Sequence, residues 1–187
     1  MSASVELSLR SMAALLQLGS SLLPIGNFSY SQGFERAVHD GWVKDQASAS
    51  AWIESHWHAW FAPLELQVLG AAMTETPTQL AVWQRHFLAT RDSKEALEEC
   101  LQLGSSLRRW LISLKLDEAP EEGIFCALLP DPDETSGLHR QADMDAFRWL
   151  LALENRPAAP LAFAVCARVM GLNRREAMMA WAWSWLE

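Results

Sequence analysis

Residues 161–170, Leu-Ala-Phe-Ala-Val-Cys-Ala-Arg-Val-Met, constrain the fold more than any other part of the chain. Pro160 opens the segment and Gly171 closes it, the asymmetry expected at the two ends of a helix. Its apolar residues fall on every side of a 3.6-residue turn, and Arg168 is the one charge among them. A helix without a polar face belongs in an interior. A stretch this short does not span a bilayer, which takes about 20 residues. Other helices must therefore surround it, and the expected fold is all-α: a single-domain helical bundle with a buried central helix.

The rest of the chain supplies those helices. Leu7, Met12, Leu15, Leu16 and Leu18 form an apolar stripe that Gly19 can close in the left-handed region. A second helix starts near Ala47, with Ile53, Trp57, Trp60 and Leu64 on one face and Pro63 at its end or at a kink. Thr76, Pro77 and Gln79 spell a capping box with proline in the first turn. Leu80, Trp83, Gln84, Phe87 and Leu88 follow at helical spacing. Asp92 to Glu95 is another start signal, leading into a helix through Leu97, Leu101, Leu107, Trp110, Leu111 and Leu114. From Asp117 to Gly137 the pattern dissolves into Pro, Gly and acid, and Asp117 to Ser136 reads as a loop. Ile124 to Leu129 inside it is the one candidate strand, equally readable as a short buried helix. A helix resumes near Ala142 with Phe147, Trp149 and Leu150, and Asn173 to Glu176 caps the last one. No repeat or dividing linker is visible, so residues 1–187 are read as one domain.

Charge and cysteine usage narrow the function. The 15 Lys and Arg against 23 Asp and Glu give a net charge of -8, the wrong sign for gripping nucleic acid or an anionic membrane. Three cysteines, Cys100, Cys126 and Cys166, form neither a disulfide framework nor a CxxC pair, which fits a reducing compartment. The N-terminus has no basic and apolar signal-peptide pattern, and a cytoplasmic location is expected. Cys166, in the apolar helix, reads as a core residue. His56 and His58 stand about 200° apart on a helix and cannot chelate one ion there. Asp131, Asp133 and Glu134 lack the glycine-centred spacing of a calcium loop. With no nucleophile elbow, P-loop, dinucleotide fingerprint or HExxH, the expectation is a non-enzyme with no cofactor and no metal site.

Ten tryptophans against one tyrosine ask for large buried or interfacial surfaces. On the last helix Trp181 and Trp185 share a face while Trp183 points away. Either other helices of the chain cover both faces, or Trp183 faces a further segment, a second copy or a partner. The other prominent feature is the stretch from Leu23 to Glu35, where Pro24, Gly26 and Gly33 fix the backbone and Ser29, Tyr30, Ser31 and Gln32 offer dense hydrogen-bonding groups. Such a loop is either an inter-helix connection or a rigid recognition surface.

The residues Leu15 to Glu35 closely resemble the N-terminal signature of the UreF family of urease accessory proteins, and Ala37 to Val43 continues the match. Thr90 to Glu99, followed by Leu103 and Gly104, resembles the family's central helix, and Ala180 to Glu187 its late helix. The resemblance implies an all-helical, dimerising protein that is not an enzyme. It implies a complex with UreD (called UreH in some systems) and with the nickel-carrying GTPase UreG. That complex would dock on apo-urease, deliver nickel and regulate GTP use. It also implies that the protein provides part of a water-filled route for nickel toward urease. Carried over, the partner-binding residues are Ser29, Tyr30, Ser31, Gln32, Gly33 and Glu35, with Arg91 and Glu95 of the central motif, which ion pairing inside the bundle explains equally well. Trp183 joins them as the outward tryptophan. Two departures stand out. Gly26-Asn27 replaces a frequent Gly-Gly, and the helix and tail that follow Trp-Leu-Glu in the family have no counterpart here, so weakened complex formation is expected. The competing readings are a generic helical adaptor and a metal-binding helical enzyme using Cys or His.

Overall fold

Residues 159–169 form a helix in which every side chain is buried, Arg168 included. The computed structural model describes residues 9–26, 31–114 and 137–186. In chain order it contains α1 (Leu9–Leu18), α2 (Phe34–His39), α3 (Gln46–His56), a π-helical segment (Trp57–Glu65), α4 (Leu66–Ala72), α5 (Pro77–Ala89), α6 (Lys94–Ser113), α7 (Gly137–Ala152), α8 (Ala159–Val169) and α9 (Arg174–Leu186). No strand occurs among the described residues. The segment Ile124 to Leu129 and the acidic stretch Asp117 to Ser136 lie outside them.

The expected all-α bundle is thus the observed one, with α8 at its centre packed against α6, α4 and α7, and more lightly against α5 and α9. Phe163, Leu161 and Val165 of α8 meet Phe87, Leu107, Leu111, Leu150 and Leu69 in one core. Each such side chain contributes about 1.5–3 kcal/mol by leaving water. Arg168 is held rather than solvated. It donates to Asp143 Oδ1 at 2.8 Å and to the carbonyls of Ala72, Glu75 and Ala142 at 3.1, 2.9 and 2.9 Å. One planar fork with five donors thereby ties the end of α4 to the start of α7.

The capping signals in the sequence act as expected. Thr76 and Gln79 form the capping box of α5, with Pro77 in the first turn, and Ser93 caps α6 by accepting from Ala96 N. Asn173 Oδ1 accepts from Glu176 N, while Glu176 Oε2 accepts from Asn173 N.

Two expectations are corrected. Gly19 has no positive φ. It is small because α1 crosses α9 there: a Cβ would lie 3.1 Å from the Leu15 carbonyl and 3.4 Å from both the Ala180 carbonyl and the Trp183 ring. The stripe Ile53–Trp57–Trp60–Leu64 is also only in part the buried face: Trp57, Trp60 and Leu64 pack against the core, but Ile53 does not. Between Trp57 and Glu65 the helix opens to i→i+5 bonding around Pro63, whose ring and missing N–H disfavour an α-turn. The wider turn rotates Phe61 and Glu65 inward, and Ile53 is left partly exposed.

Candidate functional site

A cleft of about 540 Å³ opens where the signature loop, the π segment, the α5–α6 junction, α6 and α9 converge. Each element contributes for a local reason. Thr90 ends α5, and the next residue, Arg91, turns inward: its guanidinium lies 4.5 Å from the Trp60 ring centre and 4.4 Å from that of Phe87. The side chain is 3% exposed. Stacking between two aromatic faces holds a cation at a depth where water does not reach.

Glu65 faces it. One carboxylate oxygen is 3.5 Å from Arg91 Nη1, and the other accepts the indole N–H of Trp181 at 3.2 Å. The Glu65 side chain is 8% exposed. Burial pushes its acidity up to about 7, against the pull of Arg91 and the Trp181 hydrogen bond, and Glu99 adds to the rise. Glu99, on the same cleft, is likewise raised by burial, partly offset by a hydrogen bond from Gln32 and by Arg91. Cys100 is a buried thiol pushed up to about 12, with its sulfur accepting from Ala159 N at 3.4 Å. Such a thiol is inert.

The loop edge is set by two successive left-handed residues, Gln32 at φ 48° and Gly33 at φ 86°. Glycine adopts that geometry freely and glutamine does not. What fastens Gln32 is its side chain: Oε1 accepts from Trp185 Nε1 at 2.7 Å. Trp185 is itself stacked on Phe61 at 4.7 Å between ring centres. A second hollow of about 340 Å³, shared at Gln32 and His56, is walled by Ser31, Phe34, Trp52 and Trp185.

Of the residues singled out in the sequence, Gln32, Gly33, Arg91 and Glu95 line the main cleft, and Ser31 joins Gln32 in the second hollow. Ser29 and Tyr30 lie outside the described residues. Glu35 sits exposed on α2 and lines neither hollow. Trp183 is 56% exposed beside the α1–α9 crossing, while Trp181 is buried and Trp185 half-buried. The ion partner of Arg91 is Glu65, not the neighbouring Glu95.

Sequence reasoning missed Glu65, Glu99, Trp181 and Trp185 as members of one site. A signal existed for the first, which is the single charged residue between His58 and Glu75. Asp92, Glu95, Glu99 and Glu65 make the cleft acidic around Arg91. Among the described residues no group of three or more His, Cys, Asp or Glu is placed to hold a metal ion. His56 packs on Trp52 at 4.3 Å and points Nδ1 at the Trp52 carbonyl.

A mixed π and α bundle around one buried helix, with a cleft joining its first loop to its last helix, defines the class: an all-α protein whose distinctive surface is assembled from distant segments. The family model for UreF matches residues 43–187. The urease accessory protein UreF of Chromohalobacter salexigens is 36% identical over 180 residues, 94% of this chain and 65% of that protein. Those of Methylobacillus flagellatus and Pseudomonas fluorescens are 34% and 36% identical, over 95% and 93% of this chain and 69% and 68% of their own lengths. The chain belongs to the UreF family, and it spans about two thirds of the length of these relatives.

Proposed function

We propose that the chain serves urease maturation as a non-catalytic scaffold. In this reading it joins UreD and the GTPase UreG in a cytoplasmic complex, as a homodimer. There it governs when UreG spends GTP and helps hand nickel, the cargo, to apo-urease. The observation that carries the reading is the fastening of the family signature. Gln32 and Gly33 are held at the cleft rim by a hydrogen bond from Trp185, beside Arg91 of the second motif. A rim built to hold a strained glutamine in place suits recognition, because a rigid surface loses little entropy on binding.

The test is co-purification with UreD and UreG. Gln32→Ala and Gly33→Val are expected to lower capture at least tenfold in Kd, while Glu35→Ala lowers it less. Capture unchanged by both rim substitutions overturns the proposal. A nickel titration of the isolated chain adds a second arm, since tight one-to-one binding would favour a metal-binding enzyme over a scaffold that passes the ion on.

A further inference from the structure

The buried carboxylate of Glu65 has one oxygen on Arg91 and the other on the Trp181 indole, and so joins three elements: the π segment, the α5–α6 junction and α9. It lines the open cleft. A second link runs in parallel, from Trp185 through Gln32 to Glu99. Both inward tryptophans of α9 therefore end on a chain that leads to a carboxylate. We infer that this node is a proton-sensitive latch: with Glu65 neutral the Glu65–Arg91–Trp181 node stays fastened and buried at the cleft wall, and with Glu65 ionised α9 and the Gln32 loop release to let water reach it.

The direction follows from solvation. An ionised carboxylate in a dry site loses far more than a neutral one, so the charge favours whichever state hydrates it. Arg91 compensates only in part, at 3.5 Å and with its own Nε lacking any partner. The other titratable or charged groups facing the cleft are His56 from α3, Asp92 from the junction, and Glu95, Glu99 and Cys100 from α6. The loop, α8 and α9 present Gln32, Ala159 and Trp181 there, none of them ionisable in this range. Glu99 works in the same sense as Glu65, since ionising it beside Glu65 adds repulsion at the fastened node. By linkage the open fraction rises up to tenfold per pH unit between the ordinary carboxylate range and about 7, then levels off.

Hydrogen exchange of the intact chain tests this, with rates corrected for the intrinsic effect of pH, from about pH 5 to about pH 8. Protection in residues 174–186 is expected to fall at least tenfold across that range and then plateau. Glu65→Gln, which keeps the shape and the acceptor for Trp181 without a charge, is expected to stay protected throughout. His56→Asn is expected to keep the wild-type response. A flat wild-type profile, or the same fall in Glu65→Gln, overturns the latch. Should Glu65→Gln not fold, a ¹³C-glutamate NMR titration of the wild type decides instead: Glu65 titrating in the ordinary carboxylate range overturns the latch, and titration near neutrality supports it. The readout needs no partner protein, so the latch and the scaffold reading can fail separately.

Discussion

The indole N–H of Trp185 donates to Gln32 Oε1 across 2.7 Å, joining residues 153 positions apart. One belongs to the first motif of the chain and the other to the last, and the bond makes them one surface. Replacing Trp185 with Phe keeps the ring on Phe61 but removes the donor. The expected cost is about 1 kcal/mol in urea unfolding, together with a loss of exchange protection confined to residues 31–34. Protection lost evenly across the molecule would show that the bond has no special role in holding the loop.

Gly104 faces the chain leading into α8. A Cβ there would lie 2.0 Å from the Pro157 carbonyl oxygen, a backbone atom with nowhere to go. Gly104→Ala is expected to cost about 3 kcal/mol or more, read as a fall in the urea midpoint. A neutral substitution would mean that α6 and residues 157–158 can separate without loss.

Arg168 is buried with four acceptors, and its removal strands Asp143 and three carbonyls. Arg168→Ala is expected to cost about 3–5 kcal/mol. Arg168→Lys keeps the charge but not the fork, and should recover only a minor part of that loss. Equal stability of the lysine variant and the wild type would show that charge alone suffices.

Stability should vary with pH in a direction set by Glu65. Its folded acidity is raised from an ordinary 4.5 to about 7, so its favourable contribution is complete below about 4.5 and is lost as pH climbs to about 7. Glu99 acts in the same sense. Asp40, Asp45 and Glu98 are lowered by His39, Ser48 and Arg156 respectively, so their contributions disappear only in acid, below the ordinary carboxylate range. Urea midpoints of the wild type should therefore fall relative to those of Glu65→Gln between about pH 5 and about pH 7. Parallel curves would contradict this.

Trp183 is the outward tryptophan of α9, more than half exposed. Trp183→Ala is expected to change stability by no more than about 0.5 kcal/mol, yet to weaken capture of a partner or second copy. Unfolding melts and co-purification together check this; a large stability loss with intact capture would reverse the assignment.

The all-α class, the buried helix at 159–169, the caps at Thr76, Ser93 and Asn173, and the split between Trp183 and its two neighbours were all legible in the sequence. Each depends on residues a few positions apart, where helix periodicity and local hydrogen bonds decide the outcome. Gln32, Gly33, Arg91 and Glu95 became partner-binding candidates by a different route, through resemblance to a family. Only the tertiary structure decided that these four share a cleft, that Arg91 pairs with Glu65, and that Trp181 and Trp185 anchor it. It alone decided the π segment around Pro63, which turns Phe61 and Glu65 inward and leaves Ile53 of the 3.6-residue stripe exposed. The reason is physical: a pitch change within a helix, and contacts between residues more than a hundred positions apart, are settled by which side chains fill the core together.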